Sequence, residues 1–250
     1  MKILLLTLAM ATFMTQVHLL QAQEINLEKD LVLHIPMQGN ALDESENSVP
    51  TKVEGPLITS DRRGNPSQAY LFNGIDDNIM LNNDEALITS KQFTICMWAR
   101  IDGRSQVAAM PSNSLFEQRD ENEGSPVVIH FNAELNGETR FVVRSSAENA
   151  LYLIKTPYPG DGSWHFYTAM IDDEKNMSVF FDGQLQVSSK LLNDGDFHTG
   201  INRVNIGAHH PNSIIFGAFN GAIDEVYIYN RALNLCEIEA LYSGQLLDER

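Results

Sequence analysis

The sequence is poor in cations, in cysteine and in long apolar runs. Of 250 residues, 17 are Lys or Arg against 33 Asp or Glu, a formal charge of −16. A phosphate backbone needs a basic face, and anionic lipid needs clustered cations, so this balance speaks against both partners. It suits solubility, cations, and neutral or basic ligands. The two cysteines, Cys96 and Cys236, do not suggest a metal site. They leave two alternatives open, one disulfide or two free thiols. Beyond the N-terminal segment no stretch is apolar enough to span a bilayer. Glycine (16) and proline (9) are near average, which excludes collagen-like and low-complexity chains. No Gly-x-Ser-x-Gly elbow, His-Glu-x-x-His zinc motif or phosphate-cradling glycine loop is present.

What is there begins with an address. Lys2 precedes the apolar run Ile3 to Met14, and a polar stretch ends in Leu20-Gln21-Ala22-Gln23. A charged start, an apolar centre and a small residue before the cut predict a secretory signal peptide over residues 1–22. Its apolar run, about 12 residues, is too short to cross a bilayer. Removing these 22 residues, with their single lysine, leaves 228 residues and a charge of −17. The expected product is exported, extracellular or periplasmic, and forms one domain over residues 23–250.

The remainder alternates short β-like runs with turn residues. Candidate strands are Leu31–Pro36, Tyr70–Phe72, Ile79–Leu81, Phe93–Ile101, Leu115–Gln118, Val127–Phe131 and Arg140–Val143. Leu151–Ile154, Trp164–Ile171, Met177–Phe181, Leu185–Ser188, Val204–Ile206 and Ala222–Tyr229 complete the series. Asp182-Gly183 is the strongest hairpin signal. Asn73-Gly74-Ile75-Asp76-Asp77 reads as a hairpin turn satisfied by its own side chains. In the last strand Ile223, Glu225, Tyr227 and Tyr229 are expected on one face, with Asp224, Val226 and Ile228 on the other. One helix is predicted. Asn234 caps it with Glu237 three residues on, Leu235, Ile238, Leu241 and Tyr242 share a face, and Gly244 ends it. This is the pattern of an all-β, two-sheet antiparallel jelly-roll sandwich with a short C-terminal helix.

Five segments in order resemble the laminin-G-like, concanavalin A-like jelly-roll family of lectins and glucanases. They are LVLHIPMQGNALDESEN (Leu31 to Asn47), AYLFNGIDDNIML (Ala69 to Leu81), FTICMWAR (Phe93 to Arg100), the Trp-His strand and Asp-Gly hairpin of Gly162 to Ser188, and FNGAIDEVYIYNRALNLCEIEALY (Phe219 to Tyr242). The resemblance covers about residues 27–246. It implies a structural calcium between the opening loop and the last strand. On that basis Asp43 and Asp224 are the expected carboxylate ligands, with Asn40 and the Gly39 carbonyl beside them. Hard cations take such oxygens, although a local Asx turn at Asp43 is the plain alternative.

The fold also hosts glycoside hydrolases, which need two carboxyls about 5 Å apart. A laminarinase-like enzyme of this fold carries Glu-x-Asp-x-Glu or Glu-x-Asp-x-x-Glu on one strand, where residues i and i+2 face the same way, and neither spacing occurs here. Glu117, Asp120, Glu121 and Glu123 read as a solvated loop. Trp98 and Trp164 read as core, and His165 as structural. The adjacent pair His209-His210 is a weak metal candidate. Tyr152, Tyr158, Phe197 and Phe216 lie in or near loops, where recognition concentrates. Tyr158, between Pro157 and Pro159, is expected to present its ring outward. The sequence therefore predicts a non-catalytic binding module for carbohydrate or extracellular protein, with Tyr152 and Tyr158 as candidate ligand contacts.

Overall fold

A computed structural model describes residues 25–81, 87–106, 112–120, 127–144, 150–191, 202–208 and 217–244. The N-terminal segment, Phe197, Phe216, His209-His210, Glu121 and Glu123 lie outside the described residues. The described residues between 28 and 233 form one compact unit, and residues 25–27 and 234–244 belong to another.

The larger unit is a sandwich of two antiparallel sheets. Its strands are β1 (Leu31–Ile35), β2 (Thr51–Glu54), β3 (Leu57–Thr59), β4 (Ala69–Asn73), β5 (Asn78–Leu81), β6 (Phe93–Ile101), β7 (Asn113–Asp120) and β8 (Val127–Leu135). Then follow β9 (Glu138–Arg144), β10 (Leu151–Pro157), β11 (Trp164–Ile171), β12 (Asn176–Phe181), β13 (Gln184–Lys190), β14 (Asn202–Ile206) and β15 (Asn220–Tyr229). The eight-stranded sheet runs β13-β12-β11-β6-β15-β4-β3, with β1 also paired to β15. The seven-stranded sheet runs β10-β9-β8-β7-β14-β5-β2.

Sequence pattern follows position. The apolar run of β6 lies between β11 and β15, and its first seven residues are all buried. In β9, Thr139, Phe141 and Val143 are buried while their neighbours are half-exposed, the alternation of a strand with one core face. Aromatic edges join the sheets: Phe93 meets Phe141 with centroids 6.0 Å apart, and Phe131 meets Tyr167 at 6.3 Å. Asp182 (φ 51°) and Gly183 (φ 76°) both adopt the left-handed conformation that a two-residue I′ turn requires, and β12 and β13 pair as expected.

Two expectations need correction, and two strands are additions to them. The Asn73–Asp77 turn is not a hairpin, because β4 and β5 belong to different sheets and the turn carries the chain between them. Strands β2 and β3 were not legible, since TKVEGPLIT is short, mixed in polarity and interrupted by Gly55-Pro56. In β15 the alternation breaks at a bulge between Asp224 and Tyr227, where Glu225 takes φ 47°. Ile223, Val226 and Ile228 then point into the core, and Tyr227 and Tyr229 do not. A bulge inserts one extra residue, so every residue beyond it changes face.

The helix α1 (Leu235–Ser243) carries the expected capping box: Asn234 Oδ1 accepts from Glu237 N at 3.0 Å, and Glu237 Oε2 accepts from Asn234 N at 2.9 Å. Glu237 Oε1 also accepts from Asn26 N at 3.2 Å. Gly244 (φ 69°) closes the helix through its N–H to the Ala240 carbonyl. Ile238, Ala240 and Leu241 are buried, whereas Leu235 is exposed, so the apolar face is narrower than its sequence suggests. Cys96 and Cys236 are free thiols, the first buried in β6 and the second exposed. Burial pushes the Cys96 thiol up to about 12. Among the described residues no helix is long and apolar enough to cross a membrane.

Candidate functional site

The outer face of the seven-stranded sheet concentrates buried polar chemistry. Core residues Phe116, Ile129, Phe131, Val204 and Ile206 occupy the inner face, so the residues between them face away from it. Cross-strand register aligns one such residue from every strand: Leu153, Val142, His130, Glu117, Asn205, Met80 and Lys52. The adjacent rank holds Lys155, Arg140, Asn132 and Ser114.

The centre of these ranks is dry. Glu117 is 0% exposed, Asn205 1%, Asn132 2% and His130 3%. Ser114 Oγ lies 3.1 Å from His130 Nε2. Asn132 Oδ1, Asn205 Nδ2 and Arg140 Nε are buried atoms with no hydrogen-bond partner. A buried unpaired polar atom costs on the order of 1–3 kcal/mol. Arg140 is aimed by Glu138, whose Oε2 accepts from Arg140 Nη2 at 3.0 Å and whose Oε1 accepts from Lys155 Nζ at 2.8 Å. The Lys155 and Arg140 hydrogen bonds hold the Glu138 carboxyl below its ordinary range.

Sequence reasoning missed this row. Glu117 was expected in a solvated loop because the acids after it form one charge run. The strand in fact continues to Asp120, and Glu117 is fully buried. The signal that would have found the row is the alternation I-H-F-N-A of β8, which places His130 and Asn132 on the non-core face.

The expected metal ligands are committed elsewhere. Asp43 Oδ1 accepts from His34 N and Ser45 N, both at 2.9 Å. Its Oδ2 accepts from Ser45 Oγ and Val49 N, both at 2.8 Å. Asn40 Oδ1 accepts from Leu42 N at 2.8 Å, and Gly39 (φ 77°) supplies the loop's left-handed residue. Asp224 is 2% exposed, and its Oδ2 accepts from Arg62 Nη1 at 3.0 Å. Burial, with Glu225 beside it, raises the pKa of the Asp224 carboxyl, and the Arg62 guanidinium opposes that shift. Among the described residues no three His, Cys, Asp or Glu side chains converge as a metal site. The donor set as arranged therefore does not fit calcium: four N–H and O–H donors saturate one carboxylate, and a guanidinium engages the other.

Other candidates are placed as follows. Tyr152 packs against the core, so its ring is turned inward. Tyr158 is half-buried and folded back over Gly160, where an added Cβ would sit 3.0 Å from its Cζ, rather than presented outward. Trp98 is buried, but Trp164 is half-exposed with the Arg100 guanidinium 5.5 Å over its ring. Asp77 is buried and binds its own turn, accepting from Asn73 N at 2.8 Å and from Asn73 Nδ2 at 2.9 Å. Burial raises its pKa, against the Asn73 backbone bond. His165 is clamped between Asp182 and Asp161.

Known proteins place this architecture. A search of curated proteins finds no match. Among solved structures, a binding domain of botulinum neurotoxin DC in complex with SialylT superposes with a TM-score of 0.67 at 16% identity, covering 88% of this chain and 52% of that one. The same domain in complex with rat synaptotagmin II gives 0.67 at 17% identity, covering 87% and 52%. The serotype D ligand-binding domain in complex with N-acetylneuraminic acid gives 0.66 at 15%, covering 88% and 52%. The chain thus spans about half the length of the solved structures it matches. At such identities the likeness concerns the fold. The family model described as the concanavalin A-like lectin/glucanases superfamily matches residues 73–239, more than half of the sequence. With its jelly-roll sheets and this match, the chain belongs to the concanavalin A-like lectin/glucanase superfamily.

Proposed function

We propose that this protein is an exported, non-catalytic carbohydrate-binding module whose ligand lies on the outer face of the seven-stranded sheet, at its β9–β10 end. The observation that carries this reading is the accessible end of that face on β9 and β10, where Arg140 and Lys155, both held by Glu138, stand beside the apolar Val142 and Leu153. Arg140 and Lys155 are donors and Glu138 is an acceptor, and a sugar hydroxyl both donates and accepts. Val142 and Leu153 continue the rank with apolar surface, where the C–H face of a sugar ring can rest. Solved relatives of the fold in complex with SialylT or N-acetylneuraminic acid support a saccharide ligand. The relative in complex with rat synaptotagmin II makes a protein ligand the alternative outcome.

The non-catalytic part rests on Glu117. Its cross-strand neighbours are His130 and Asn205, not the second carboxyl that glycoside hydrolysis requires about 5 Å away. Export rests on the N-terminal pattern of charge and apolar run.

A glycan array probed with the wild type and with an Arg140→Ala/Leu153→Ala variant tests the proposal. The wild type is expected to bind a restricted set of glycans, with and without a chelator. The double variant is expected to lose at least about tenfold in affinity while its melting temperature falls by no more than a few degrees, since both side chains are partly exposed. A silent array together with a protein captured at this face rejects the carbohydrate reading.

A further inference from the structure

We propose that Arg62 is this domain's own cation at the last strand, doing there what a bound metal ion does in other proteins, so that the sandwich is metal-independent at this place. The residues that the resemblance assigned to calcium do not fit an ion, and the geometry shows what has taken their charge. Arg62 Nη1 lies 3.0 Å from Asp224 Oδ2, and Nη2 lies 3.0 Å from Glu225 Oε2. Its guanidinium stands 4.5 Å over the Trp98 ring, and its side chain is 9% exposed.

Two devices make this possible. The β15 bulge is the first. Neighbouring residues on a regular strand point to opposite faces, yet here consecutive carboxylates reach the two ends of one guanidinium, with Glu225 at φ 47°. The second is the loop between β3 and β4. Asp61 Oδ1 accepts from Arg63 N at 2.9 Å and from Asn65 N at 2.7 Å, and its Oδ2 accepts from Asn65 Nδ2 at 2.9 Å. Gly64 N donates to the Asp61 carbonyl at 3.1 Å. This closed loop sets Arg62 at its bend. A planar guanidinium can serve two carboxylates and an indole face together. At the other expected ligand, Asp43, backbone and hydroxyl donors meet all the charge.

Thermal unfolding of the full-length protein tests this, in chelator and in millimolar calcium chloride. The wild-type midpoint is expected to agree within about 1 °C between the two buffers, since a ligand that binds the folded state must raise its stability. Arg62→Gln, which strands two buried carboxylates, is expected to fall by about 10 °C or fail to fold. Arg62→Lys is expected to recover part of the loss. An Arg62→Gln/Asp224→Asn/Glu225→Gln triple variant, with the buried charges removed together, is expected to melt above Arg62→Gln. A wild-type midpoint that drops several degrees on chelation overturns the proposal. So does an Arg62→Gln variant as stable as wild type, or a triple variant no better than the single one.

Discussion

His165 is gripped from two sides. Its Nδ1 lies 2.7 Å from Asp182 Oδ2 and its Nε2 lies 3.1 Å from Asp161 Oδ1. Burial works against the imidazolium, but the Asp182 and Asp161 hydrogen bonds outweigh it and raise the pKa above 6.5. A folded-state pKa above the unfolded one gives stability that is complete below the unfolded value and fades as pH rises through the folded value. Accordingly His165→Gln should lower the melting midpoint at pH 5.5 and approach wild type above the raised pKa. A gap that is the same at pH 5.5 and pH 9 would contradict this. Single residues of this kind were partly legible. The Asn73–Asp77 turn was expected to satisfy itself and does. The saturation of Asp43 was only half visible: an Asx turn predicts the Ser45 bond, but His34 N and Val49 N arrive from neighbouring chain that only the fold brings near.

At the scale of the element, boundaries were read where one physical signal dominated. Strands β6 and β11 were placed to the residue because their apolar runs end abruptly in polar loops. The helix was placed because its capping box is a local hydrogen-bond device. The bulge in β15 was invisible: an inserted residue leaves composition unchanged and shows only when the strand meets its partner in β6. It also makes a prediction. Deleting Glu225 removes the extra residue and restores strict alternation, with Val226 and Ile228 inward and Tyr227 outward. The deletion should still unfold cooperatively. Deleting Met97 from regular β6 inverts the faces of every residue that follows and should abolish folding. Circular dichroism melts of the two deletions distinguish these outcomes, and a Glu225 deletion as disruptive as the Met97 deletion would refute the account of the bulge. The sheet row of Glu117, His130, Asn132 and Asn205 was legible only through the alternation of β8, because Asn205 joins it from β14, which is distant in sequence and meets β7 only in the fold.

For the whole molecule, order of motifs carried the fold: weak segments in the right sequence predicted two antiparallel sheets, and the family match agrees. The acidic excess has no single explanation in the described residues, though its buried members, Asp77, Glu117, Asp224 and Glu237, are held within the structure rather than displayed for a basic partner. One consequence of the architecture is kinetic. Cys96 sits in mid-strand with no exposure and a thiol raised to about 12, while Cys236 is exposed. A thiol reagent at neutral pH should label one cysteine within seconds to minutes and the other only when the sandwich opens. Since β6 is flanked on both sides, that opening is close to global, and the slow labelling rate becomes a clock for unfolding under native conditions. Mass spectrometry of labelled protein over time reads it, and rapid modification of both thiols would mean that β6 opens locally.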